Sequence, residues 1–360
     1  MTRDISDERA DTSIRPPRRA TRIHDVAKLA GVSVATVSMV MNDSPRISRP
    51  TAARVRAAAD RLGYHPSRAA RALRGMKSRT LAVFVPPSPQ GMADLCLGDL
   101  LNGVREAAQH AGYRLLLEHS PSNHDSASRA GFDAEEVEGI LCVGCTVADV
   151  PHEMLDLPLM LLDSRPTRCS IDHITCDYSG AVAQAVKHIA DLGHSQIALV
   201  RPAGADHREF EMLVGFRQAM NERGISSSTV LAQAHRTEAG GSEAAADLLD
   251  RHPDLTAVIV ADDRMAIGLL HQLHLRGLDC PRELSIVAIG DFGPAAYATP
   301  AISSVSVPLF EVGRLGAEKF IQRLRGETGL IKVSLPAHLV PRASTGPARL
   351  CDADHRQRRS

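Results

Sequence analysis

The chain has 360 residues, 44% of them apolar and 23% charged, which is enough for two or three domains with real cores and excludes a disordered protein. No run approaches the ~18 apolar residues of a membrane span, and no apolar stretch of the signal-peptide kind follows the charged N-terminus, so the chain reads as cytoplasmic, without a membrane partner. Net charge is zero, from 42 Lys+Arg and 42 Asp+Glu, but residues 1–79 carry 17 basic against 7 acidic side chains, leaving 25 against 35 for the rest. A basic end on an acidic body is the footprint of a nucleic-acid contact confined to the N-terminal part.

In chain order, residues 1–21 are charged, Pro-containing and aperiodic, and are expected to be a disordered arm. Residues 22–66 read as a three-helix DNA-binding domain. A first helix near Ile23–Ala30 stops at Gly31, Ser33 caps a second over Val34–Asn42, and Ser48 caps a third that runs to Leu62 before Gly63. Val26, Ala27, Ala30, Val37, Val40, Val55, Ala58 and Leu62 recur at helical spacing and are assigned to its core. Residues 67–79, "SRAARALRGMKSR", form a linker whose helical stretch is too short to be stable alone.

From residue 80 to 346 apolar strand runs ("TLAVFVP", "YRLLLEHS", "VEGILCVG", "LPLMLLDS", "QIALVRP", "AVIVADD", "LSIVAIGD") alternate with amphipathic helices at Asp99–Ala111, Tyr178–Leu192, Phe210–Arg223, Gly241–Arg251, Arg264–Arg276 and Glu311–Arg325. Continuous apolar strands separated by helices imply parallel sheets covered on both faces, and their number implies two α/β lobes. Residues 347–360 are expected to be a disordered tail.

Enzyme signatures are missing. Neither GxGxxG after a strand, GxxxxGK[ST], GxSxG nor HExxH occurs, and the 16 His residues lack metal or triad spacing, His271 and His274 reading as surface residues. The seven cysteines, an odd number, suit free thiols in a reducing compartment. Cys142 and Cys145 have CxxC spacing without a second pair and are assigned as buried structural thiols. No catalytic residue, cofactor or metal is expected.

"IHDVAKLAGVSVATVSMVMN", "ISRPTAARVRAAADRLGYHPSRAARALR", "DLGHSQIALV", "VADDRMAIGLL", "CPRELSIVAIGDF" and "TPAISSVSVPLFEVGRLGAEKFIQRLRG" together resemble the LacI/GalR family of bacterial transcription regulators, in order over about residues 22–345. The resemblance implies an all-α helix-turn-helix head and a two-lobed α/β sensor similar to periplasmic binding proteins. It implies a homodimeric repressor on double-stranded operator DNA. Val34, Ala35 and Met39 would face base edges, with Thr36, Ser38 and Asn42 bonding phosphates or bases. Apolar readers can touch a thymine methyl but cannot chelate guanine. Leu73 matches the family's hinge leucine, a minor-groove wedge, with Arg68, Arg71, Arg74, Lys77 and Arg79 on phosphates.

The resemblance further implies an effector cleft at the carboxyl ends of the strands, with Asp94, Asp163, Arg208, Met212, Arg236, Asp262 and Asp291 as candidate contacts. Asp263 is placed to cap the helix that follows it. Met212 stands where the family often has an arginine, and Gly290 where it often has an aspartate. Arg208 and Arg236 would suit an anion, so the expected effector is a sugar, sugar acid or sugar phosphate. Two alternatives stay open: a small-molecule binding protein without regulatory DNA binding, and a regulator of this family that no longer answers a ligand.

Overall fold

The computed structural model describes residues 23–41, 47–62, 78–86, 95–119, 132–166, 170–203, 207–225 and 230–349. The chain divides into two compact units, one ending at Ser78 and the other beginning at Arg79. Asn42, Arg68, Arg71, Leu73, Arg74, Lys77 and Asp94, with the arm at 1–21, lie outside the described residues.

The first unit is helical. Helix α1 (Ile23–Ala30) and helix α2 (Val34–Met41) meet at 101°, within the range of a helix-turn-helix. Gly31 makes the turn possible at φ 64°, a left-handed value that suits a residue without Cβ. Ser33 starts α2 as its cap, its hydroxyl accepting from the Thr36 N–H at 3.1 Å. Helix α3 (Arg49–Leu62) closes the core. Val26, Ala27, Ala30, Val37, Val40, Val55 and Ala58 are buried together, and Leu62 packs partly against them.

Among its described residues the second unit holds two six-stranded sheets. Its strands are β1 (Thr80–Val85), β2 (Arg114–His119), β3 (Gly139–Val143), β4 (Leu159–Leu162), β5 (Asp172–Cys176), β6 (Ile197–Pro202), β7 (Val230–Ala234), β8 (Ala257–Val260), β9 (Ser285–Gly290), β10 (Ser303–Ser306), β11 (Lys332–Leu335) and β12 (His338–Val340). Lobe 1 has the order β11-β5-β4-β3-β1-β2 and lobe 2 the order β12-β10-β9-β8-β6-β7. Every pairing is parallel except β10 with β12. Parallel strands buried on both faces must be apolar throughout, and β1, β3, β8 and β9 are buried at every position.

The helices are α4 (Leu95–His110), α5 (Tyr178–Asp191), α6 (His207–Glu222), α7 (Glu238–Arg251), α8 (Asp263–Leu275), the short α9 (Pro294–Tyr297) and α10 (Leu309–Leu324). The chain crosses between lobes three times. After β5 it enters α5, which packs on β8, β9, β10 and β12; after β10 it enters α10, which returns to α4, β4 and β5; and it crosses again between β11 and β12.

All seven expected strand runs and all six expected helices of this unit are present; the helix at Tyr178 begins where the sequence suggests, and the other five begin one to four residues earlier. Residues 347–349 differ from the expected tail. Ala348 N–H donates to Leu192 O at 2.9 Å and Arg349 reaches Pro253 O and Leu255 O at 3.0 and 3.1 Å, which fastens this stretch to lobe 2. Cys142 and Cys145 are buried free thiols, and their mutual hydrogen bond, then burial, pushes the Cys142 thiol well up, away from reactivity. Among the described residues no single helix is long and apolar enough to cross a membrane, and no cluster of ligands could hold a metal ion.

Candidate functional site

Two places bring expected residues together. On α2, with about 100° between successive residues, positions 35, 36 and 39 share one face and 37, 40 and 41 the opposite one. Ala35 is exposed, Met39 is 36% exposed and Thr36 is half-buried beside its cap. Val34 packs partly against the core. Ser38, expected to bond DNA, is only 9% exposed and points to the inner side, because it lies one turn beyond Val34 on the same flank. The free face of α2 is therefore Ala35, Thr36 and Met39.

The second place is the cleft between the lobes of the second unit. Asp163 follows β4, Asp262 lies two residues beyond β8, and Asp291 follows β9, so all three sit at carboxyl ends of strands. Asp163 and Asp291 hold left-handed backbones, φ 53° and 70°. The carboxylate of Asp163, 4% exposed, accepts from the Tyr178 hydroxyl through both oxygens, at 2.9 and 3.0 Å, and meets Arg208 Nη1 at 3.4 Å. Burial and then the Asp163 charge push the Tyr178 hydroxyl well up, which keeps it a donor.

Arg208 begins α6 in lobe 2, so its contact with Asp163 spans the cleft. A second pair does the same, Arg165 Nη1 to Glu211 Oε1 at 2.8 Å. His207 Nε2 lies 3.5 Å from the other Glu211 oxygen. Burial raises the Glu211 carboxyl, opposed by Arg165. Within lobe 2, Glu209 is 4% exposed between Arg201 and Arg236, each at 3.8 Å, and Arg236 also approaches Asp262 at 3.9 Å. The Gln233 amide oxygen accepts from the Arg201 guanidinium. Asp291 pairs with Arg342 at 2.6 Å.

Four expected contacts thus fall in two charge-matched groups, Asp163 with Arg208 and Arg236 with Asp262, and Asp291 pairs with Arg342. Met212 is 2% exposed in the same core as Tyr178 and Phe216, so its thioether serves packing. Asp262, not Asp263, caps α8, accepting from Arg264 N–H at 2.8 Å. Asp263 lies one residue into the helix, where its Oδ2 accepts from Phe292 N–H at 2.5 Å. Gly290 has no room for an aspartate: a Cβ would stand 2.8 Å from Asp263 Oδ2 and 2.9 Å from the Phe292 ring.

Glu211 and Arg342 are the members that sequence reasoning missed; Arg165, Arg201 and Glu209 fall within the stretches 163–165 and 201–210, which it places among the loops of the cleft without naming these three as contacts. The sequence divides "HREFE" between a cleft loop and a helix starting at Phe210, and only the tertiary fold buries Glu209 and half-buries Glu211. Buried polar atoms are nearly always bonded, yet Arg201 Nε, Glu211 Oε2 and Asp263 Oδ1 have no hydrogen-bond partner. Donors and acceptors lie together, and each arginine of the network is matched by a carboxylate. Such a surface suits hydroxyl groups, which give and accept at once.

Comparison with known proteins finds relatives for both units. Residues 22–67 match the model of bacterial regulatory proteins of the lacI family, and residues 186–345 that of a periplasmic binding protein-like domain. The regulator CelR of Thermobifida fusca is 31% identical over 337 residues, 91% of this chain and 99% of that protein. Catabolite control protein A of Priestia megaterium is 29% identical over 90% of this chain and 98% of its own. Among solved structures, a CelR–cellobiose complex is 29% identical with a TM-score of 0.69, covering 90% of this chain and 99% of that one. A Lac repressor dimer bound to operator and an anti-inducer has a TM-score of 0.80 at 23% identity, over 91% and 100%.

Proposed function

Because this chain belongs to the LacI family of bacterial transcription regulators, we propose that it is a homodimeric repressor whose hold on operator DNA is changed by a neutral, polyhydroxylated ligand bound between its lobes. The observation that carries the ligand is the matched network of the cleft. Arg208 and Arg236, which by themselves would suit an anion, each lie against buried carboxylates. An anionic ligand would have to displace or compete with Asp163, Glu209 and Asp262, whereas sugar hydroxyls fit beside both signs of charge. Cellobiose in the related CelR complex supports this ligand class.

On the DNA side, Ala35, Thr36 and Met39 form the reading face, with few groups able to chelate a base edge. Specificity then depends on the segment matching the hinge, where Leu73 is the wedge and Arg68, Arg71 and Arg74 hold phosphates. Asn42 and Asp94 keep the roles that the family resemblance implies, the first on DNA and the second on the effector. Ligand binding closes the lobes and alters how the linkers of the two protomers present the heads. A DNA-binding regulator of this kind works in the cytoplasm.

One experiment tests both halves. Purified protein is mixed with sheared genomic DNA at two salt concentrations, and retained fragments are sequenced with and without cellobiose, ribose, gluconate and glucose 6-phosphate. Retention of a few near-palindromic fragments at the higher salt, lost with a neutral sugar, is expected. Release by the acid or phosphate alone would replace the neutral ligand with an anion, and uniform loss of all fragments at higher salt would remove the specific regulator.

A further inference from the structure

Among the described residues, three that are not glycine hold a left-handed backbone: Asp163, Asp291 and Arg79, the last at φ 49°. Two border the cleft, and the third is where the sensor unit begins. A side-chain-bearing residue stays in that conformation only when its surroundings over-determine it, and such positions gather at functional and switching points.

Arg79 is held from three sides. Its N–H donates to Glu138 Oε1 at 2.5 Å, and its carbonyl accepts from Arg114 N–H at 2.8 Å. The next carbonyl, of Thr80, accepts from the Glu138 N–H at 2.8 Å. The second carboxylate oxygen, Glu138 Oε2, accepts from the Tyr113 hydroxyl at 3.0 Å. Tyr113 is 8% exposed, and its own N–H is fastened to Ala108 O at 2.8 Å. Arg79, Tyr113 and Glu138 are the residues immediately before β1, β2 and β3. One carboxylate therefore ties together the starts of three neighbouring strands, and the backbone it grips is the point where the chain leaves the lobe.

We propose that Glu138 is a positioning residue for regulation: it holds Arg79 in the left-handed turn and so fixes the direction in which the chain leaves lobe 1 toward the DNA-binding unit. The proposal rests on the regulator reading above. A movement of lobe 1 can act on DNA only if the joint at residue 79 does not absorb it. A glycine there would adopt this turn and many others; an arginine gripped by a carboxylate keeps one.

The test uses the full chain with Glu138→Ala and Glu138→Gln, read by hydrogen exchange and by affinity for a retained fragment and for random DNA. Glu138→Ala is expected to speed exchange of the Arg79 amide by on the order of tenfold or more while amides inside β1 and β3 keep their protection. It should also lower the ratio of specific to non-specific affinity roughly three- to tenfold. Glu138→Gln, whose amide oxygen can still accept from Arg79, should retain most of both. A merely structural role would lower the melting temperature and leave that ratio unchanged, and unaltered exchange at Arg79 would overturn the clamp even if no specific fragment exists. Absence of a specific fragment for the unmodified protein would count against the regulator reading alone.

Discussion

A single carboxyl group under the cleft sets a pH dependence of the fold. Asp263 is 2% exposed; burial, with the charges of Asp262 and Asp291, pushes its carboxyl up to about 7 against the opposing Phe292 N–H. The folded protein then binds a proton that the unfolded chain releases near 4, so Asp263 contributes stability at low pH that is lost as pH rises through about 7. Asp263→Asn should be more stable than the unmodified protein at pH 8, by on the order of 2 kcal/mol, and indistinguishable near pH 4. Urea unfolding at several pH values reads this, and parallel curves would refute it. The same residue marks a limit of sequence reading. Two adjacent aspartates at a helix start offer equal caps, and only the packing of Phe292 over the second assigns the role to Asp262. Glu211 was hidden for a similar reason, since its partner Arg165 stands on the facing lobe and leaves no trace in the helix's own pattern.

Helices in both lobes cross on glycines. At Gly103 of α4 a Cβ would come 2.0 Å from Phe310 O, and at Gly313 of α10 it would come 2.0 Å from Leu100 O. In lobe 2, Gly241 and Gly268 make the matching approach of α7 and α8, 2.0 Å from Met265 O and 1.8 Å from Glu238 O. Alanine would gain up to ~1 kcal/mol of helix propensity, but forcing two backbones apart costs about 1–3 kcal/mol or more, so the clash wins. Gly313→Ala is expected to lower the urea midpoint, whereas Gly98→Ala, with open space at its Cβ, should leave it level or raise it. The elements themselves were mostly legible, because buried parallel strands are unmistakable apolar runs. The strands missed were β5, β7, β10, β11 and β12. In β10, "SSVS", Ser303 and Ser304 are fully buried yet polar, made tolerable by Ser344, Thr345 and Arg342 from a segment forty residues away.

For the whole sensor unit, closure across the cleft rests on Asp163–Arg208 and Arg165–Glu211. Replacing both arginines by alanine should cost on the order of 1 kcal/mol of stability, since Tyr178 still serves Asp163 and Arg165 is well exposed. The expected effect is on shape: a larger radius of gyration for the ligand-free protein in small-angle scattering. Identical scattering would mean that the three chain crossings alone hold the lobes. That two lobes exist was readable from the number of strands. That the chain passes between them three times was not, because a crossing is a few residues of loop with no pattern of its own.

Those crossings also order the protein's birth on the ribosome. Lobe 1 receives β1 to β5 early, but α10 and β11 arrive only after the whole of α5 to β10 has been made. Until then, Leu100, Val104 and the carbonyls beside Gly103 lack the helix that covers them in the finished fold. The lobe begun first is completed after most of its neighbour, and a nascent chain stalled before Leu309 would carry an open apolar face that invites chaperones.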